Sequence, residues 1–135
     1  MGLAMDCASW ASSDRMALIA RESRIALVGA TVDFPFPGIC DVVPGTRLNN
    51  PFRAPLRSQI PALLIVGDLD ARTPVANAEE VAQGMPNAHI LVVEHGGHGI
   101  MGFPQINPIM LAFLRGASSL PRRIALPTPR LDRGR

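Results

Sequence analysis

Lysine is absent from this 135-residue chain: all 13 basic residues are arginine. That usage points to a GC-rich, bacterial genome and says little of mechanism. Long apolar runs are also missing. None approaches the ~20 residues needed to cross a bilayer, so no membrane span is expected. The opening segment, Met1–Trp10, holds an acid, Asp6, and has neither a basic start nor a long apolar stretch, so it does not form a signal peptide. It reads as sequence from the middle of a domain, which implies truncation and leaves room for an export signal upstream. The chain has no CxxC pair and no Cys/His cluster, so structural zinc is not expected. Its two cysteines, Cys7 and Cys40, allow one disulfide or two buried thiols, and their spacing leaves both open. There is no internal repeat.

Hydrophobic residues make up 47% and charged residues 18%, a balance that supports a packed core in one modest domain and excludes wholesale disorder. The net charge of +2 is unevenly placed. From Arg122 onward five arginines face one acid, Asp132, so the tail carries +4 and the first 121 residues carry −2. A basic tail has the charge to meet nucleic acid or an anionic membrane. No aromatic residue is interleaved with those arginines to stack on bases, and the segment reads as a solvated terminus. No nucleic-acid partner is expected.

Residues 14–30 are rich in helix formers, with Met16, Ile19 and Ala20 apolar and Ser12 or Ser13 placed to cap the start. From 31 to 61 prolines and glycines interrupt any period, as in a lid or connector. Order then returns. Ala62–Val66 is an apolar run of the kind buried on both faces of a parallel sheet. A polar loop spans 67–73. Thr73 followed by Pro74 predicts a capped helix over 74–83, with Glu79 and Glu80 outward, Val75, Ala78 and Val81 inward, and Gly84 ending it. His89–Glu94 is a second strand, 95–99 a tight loop, and Gln105–Leu114 a further helix ended by Gly116. A loose tail is expected after Leu120. The whole divides into a partial lid or connector (1–60), a βαβα unit (61–116) and a basic tail (117–135).

A βαβα unit implies a parallel sheet, in which functional groups gather at the C-terminal ends of the strands. Asp70 and His98 fall there, 28 positions apart with one helix and one strand between them. A serine-type triad needs an acid and a histidine that meet across neighbouring strands. Gly96, Gly97 and Gly99 are expected to let the backbone turn sharply and free the imidazole.

PALLIVGDLDARTP followed by HILVVEHGGHG resembles the C-terminal half of an α/β-hydrolase. The branch it is most similar to is that of secreted bacterial tripeptidyl-aminopeptidase-like proteins, relatives of proline iminopeptidases. Gly67, Asp70, Thr73 and Pro74, the Gly97–Gly99 triplet, AMDCAS at Ala4–Ser9, DFPFP at Asp33–Pro37 and Cys40 carry the likeness, over roughly residues 4–114. The resemblance implies that Asp70 is the triad acid and His98 the base, that Cys7 and Cys40 are bonded, and that no cofactor or metal is used. It implies hydrolysis of a small molecule or short peptide through an acyl-enzyme, in the periplasm, cell envelope or medium. Asp68 is the rival acid, expected to serve the loop instead. His95 is expected at the rim or in packing, His89 in a structural role, Trp10 in packing or a lid pocket, and Arg72 at the cleft or in solvent.

The departure from the family pattern is the nucleophile. No Gly-x-Ser-x-Gly elbow occurs, and Ser9, Ser12, Ser13, Ser23, Ser58, Ser118 and Ser119 all lie outside any strand–elbow–helix. The chain is therefore expected to be a fragment, from a partial or split gene, that needs the N-terminal half of the hydrolase domain and is nearly silent alone. The alternatives are a pseudo-hydrolase binding module, an esterase of the same fold, and a metal site at His89, His95, His98 and Glu94.

Overall fold

Prolines scattered through residues 31–61 interrupt regular hydrogen bonding: among its described residues the stretch holds two short 3-10 helices, Gly38–Asp41 and Asn50–Arg53, and the α-helices and strands fall on either side of it. The computed structural model describes residues 2–31, 34–43 and 45–128. It forms two compact units, Met1–Ala54 and Pro55–Arg135. The break lies six residues before the expected lid boundary, because 55–60 already runs with the second unit, where the Ser58 N–H donates to the Gly84 carbonyl at 3.0 Å.

In the first unit, α1 (Gly2–Ser9) ends where Trp10 adopts a left-handed backbone, φ 56°. This helix was not foreseen. Next, α2 (Ser13–Glu22) is capped by Ser12, whose side chain accepts from the Arg15 N–H. It stops eight residues short of the expected end. Ile25 and Leu27 beyond it are 87% and 102% exposed, so the extra turns would bury nothing to offset their conformational cost. None of the described residues of this unit is buried. Its ties are the disulfide Cys7–Cys40, a hydrogen bond from the Leu48 N–H to the Ala8 carbonyl, and the Trp10 ring, which packs edge-on against Phe36 and under the Arg47 guanidinium. Asp33 of the DFPFP run lies outside the described residues, as do 129–135 of the tail.

The second unit is built on three parallel strands in the order β1-β2-β3. They are β1 (Ala62–Gly67), β2 (Ala88–Glu94) and β3 (Arg123–Ala125), connected through α3 (Val75–Ala82) and α4 (Ile106–Leu114). The register pairs Ala62 with Ala88 through Gly67 with Val93. Leu91 and Val93, two apart and so on one face, are fully buried with Ile106 of α4, Ile100 and Leu126; Leu63, Ile65 and Ile124 pack against them. Val66 and Val92, out of phase with that cluster, are buried from the other face. Each fully buried aliphatic side chain contributes about 1.5–3 kcal/mol.

Two expectations are corrected here. The segment after Leu120 is not a loose tail at its start: Arg123–Ala125 pairs with Val92–Glu94, and Leu126 enters the core at 4% exposure. Ile124–Leu126, three apolar residues set among prolines and arginines, is too short a run to signal a strand, and the strand exists because the edge of β2 offers it a ladder. Two imidazoles hold its ends, His89 Nε2–H donating to the Pro121 carbonyl and His95 Nδ1–H to the Leu126 carbonyl, both at 2.8 Å. The second correction is in α3, where Val81 faces out at 40% exposure while Val75 and Ala78 are half-buried.

Candidate active site

Strands β1 and β2 end side by side, and the loops that follow them are pressed together. Gly67 makes this possible: a Cβ there would lie 2.1 Å from the Gly96 carbonyl oxygen. The Leu69 N–H donates to that same oxygen at 2.9 Å, and the Asp68 N–H donates to the Val93 carbonyl at 3.1 Å. Asp68 Oδ1 accepts from the His95 N–H at 2.8 Å. The rival acid thus serves the loop, where it pins His95 in a left-handed backbone, φ 60°. This corrects the expected role of the glycines. The sharp turn is made at His95, while Gly96, Gly97 and Gly99 have negative φ. Gly96 is needed for space, because a Cβ would meet Ile100 at 2.8 Å.

The two loops bring Asp70 and His98 into contact. His98 Nδ1 lies 2.9 Å from Asp70 Oδ2. The Asp70 side chain is 4% exposed and the His98 side chain 60%. Asp70 Oδ1 accepts from the N–H groups of Arg72 and Thr73 at 2.9 and 3.0 Å, and Oδ2 also accepts from the Thr73 hydroxyl at 2.6 Å. These bonds hold the carboxyl far below the usual carboxylate range. The Thr73 hydroxyl contributes most, then the Thr73 N–H, with His98 and Arg72 adding and burial opposing. An ionised Asp70 only accepts, so the bond to His98 places the imidazole proton on Nδ1 and leaves the Nε2 lone pair bare. Nε2 has no hydrogen-bond partner among the described residues. The pair therefore combines a buried, oriented anion with an exposed nitrogen able to take a proton.

The remaining candidates lie elsewhere. His89 and His95 are committed to backbone carbonyls, and Glu94 pairs with Arg123 at 3.2 Å. Those three and His98 do not converge among the described residues. Trp10 packs with Phe36 and Arg47. The Arg72 side chain is exposed, and its backbone is what touches Asp70. No serine hydroxyl bonds His98 among the described residues.

One participant was missed. The Thr73–Pro74 pair reads as a helix start with the Thr73 hydroxyl as its cap. In the structure α3 begins at Val75 with Pro74 in the cap position and no side-chain cap bond, because the Thr73 hydroxyl turns back to Asp70. Its position three residues after the acid was the available signal.

A family model described as TAP-like protein matches residues 28–123, which contain Asp70, Thr73 and His98. Searches of curated proteins and of solved structures gave no match. The match covers most of the sequence and all three strands except the last two residues of β3, and on that extent the chain belongs to the TAP-like proteins of the α/β-hydrolase superfamily.

Proposed function

We propose that this chain supplies the acid and the base of a serine-hydrolase triad, with Asp70 orienting His98 and the His98 Nε2 atom taking the proton of a serine hydroxyl. The observation that carries the reading is the 2.9 Å contact between a buried carboxylate and an exposed imidazole at the ends of two adjacent parallel strands. In that role His98 accepts the serine proton as the serine attacks a carbonyl, then returns it to the leaving group, and Asp70 stabilises the imidazolium in between. The serine is not among the residues of this chain in an elbow motif. The proposal places it on a segment of the hydrolase carrying Gly-x-Ser-x-Gly, which this chain completes.

The substrate is proposed to be a short peptide cleaved from its N-terminus, a preference supported by the TAP-like membership. The Cys7–Cys40 disulfide supports a place outside the cytoplasm, since such bonds persist in oxidising compartments. Among the described residues no helix is long and apolar enough to cross a membrane. No cofactor, metal or nucleic acid enters the proposed reaction.

The test is to join the chain to the reading frame upstream of it and assay the product on N-terminally free peptide amides and on simple esters. Cleavage of peptide amides is expected. Absence of an elbow motif upstream, together with no hydrolysis of either substrate class, overturns the proposal.

A further inference from the structure

A hydroxyl at the start of a helix ordinarily caps it by accepting a backbone N–H. Thr73 does not. Its side chain turns away from α3, which is left without a side-chain cap, and donates to Asp70 Oδ2 at 2.6 Å while lying 3.3 Å from His98 Nδ1. A local rule of helix formation is broken here in favour of the site.

The geometry explains what the hydroxyl accomplishes. Two backbone N–H groups fix Asp70 Oδ1, but a carboxylate held at one oxygen keeps a broad torsion about its last bond. Among the described residues, Thr73 and His98 are the donors to Oδ2. The single hydroxyl proton goes to Oδ2, so the hydroxyl lone pairs face the imidazole. A proton on Nδ1 then meets two acceptors, Oδ2 and Oγ1. A bare Nδ1 would instead place its lone pair 2.9 Å from a carboxylate oxygen.

We propose that Thr73 is a positioning residue for the Asp70–His98 pair, clamping the carboxylate so that Oδ2 faces Nδ1 and holding His98 in the tautomer whose Nε2 is free to accept a proton. The inference rests on the reading of Asp70 and His98 as triad acid and base, and the following experiment separates the two.

The full chain is labelled with 15N-histidine, which gives only three imidazoles, and its spectrum is taken at alkaline pH. In the wild type His98 is expected to show a protonated Nδ1 and a bare Nε2. Thr73→Val is expected to lose that signature, moving toward the Nε2–H form that free neutral imidazole prefers, and Thr73→Ser to restore it. Asp70→Asn is expected to lose it as well. If Thr73→Val keeps the wild-type tautomer while Asp70→Asn loses it, the role of Thr73 is overturned and the pair stands. If Asp70→Asn also keeps it, the acid–base reading itself fails. His89 and His95, bonded to the Pro121 and Leu126 carbonyls, report the fold in the same spectrum. Should Thr73→Val disturb them, the decision passes to the wild type, where a slowly exchanging Thr73 hydroxyl proton with a nuclear Overhauser contact to the His98 ring is expected and its absence overturns the proposal.

Discussion

Asp70 receives four hydrogen bonds from Arg72, Thr73 and His98, and every one favours its charged form. Its folded pKa is therefore depressed relative to the unfolded chain, which ties stability to pH with a definite sign. The contribution of Asp70 is complete above its ordinary value of 3.8 and erodes as the pH falls from there toward the depressed folded value. Denaturant unfolding of wild type and Asp70→Asn is expected to show a stability gap at pH 6 that narrows steadily between pH 4 and pH 2; a gap constant across that range contradicts the account. At this scale the pair itself was legible in the sequence, since a polar residue just past each of two apolar runs has few places to go in a parallel sheet. Thr73 was hidden by a stronger local signal, because hydroxyl-then-proline reads as a helix start whatever the hydroxyl bonds to. The left-handed turn was hidden for the converse reason. Three nearby glycines drew the expectation, whereas His95, held by Asp68, adopts the strained conformation.

The loops after β1 and β2 approach so closely that Gly67 tolerates no side chain. Gly67→Ala is expected to push the Gly96 carbonyl away, cost about 1–3 kcal/mol by overpacking, and lengthen the Asp70–His98 contact; unchanged stability and an unchanged His98 imidazole spectrum would contradict the packing argument. The third strand makes a different test. Leu126 is 4% exposed within the core cluster, whereas the Arg123–Glu94 pair is 57% and 36% exposed. Leu126→Ala is expected to cost about 2–5 kcal/mol and Arg123→Ala under about 1 kcal/mol, measured by chemical denaturation. The reverse order would mean that charge, not burial, secures β3. The elements the sequence foretold, β1, β2, α3 and α4, are those whose apolar residues form a continuous run or a helical stretch and meet a core. Those it mistook are α1, the second half of the expected helix over 14–30, and β3. Local composition decides none of the three: α1 is cross-linked through Cys7, Ile25 and Leu27 find no core, and β3 takes its ladder from β2.

At the scale of the whole molecule, the two units are stabilised by different means. The unit Pro55–Arg135 holds the buried residues, and Met1–Ala54 holds none among those described. In the latter a disulfide spanning 33 positions is worth about 4 kcal/mol through the entropy it removes from the unfolded chain. Reduction is expected to open residues 1–54 to limited proteolysis while 55–128 persists, and equal resistance of both under reducing conditions would contradict that assignment. The sheet also ends in two edges. The outer edge of β1 has no strand partner among the described residues, and its run Ala62–Val66 is apolar, the combination that promotes strand-to-strand association. The isolated chain is expected to self-associate in light scattering, and Leu64→Lys to reduce that association; a clean wild-type monomer would contradict the expectation.

The central claim is that Asp70 and His98 activate a serine that lies outside this chain. The most direct test is the rate at which a fluorophosphonate probe labels the serine of the joined hydrolase. The account predicts that Asp70→Asn slows labelling by a factor on the order of 10⁴ and His98→Ala by up to a factor on the order of 10⁶. Labelling at the wild-type rate in both variants would contradict it.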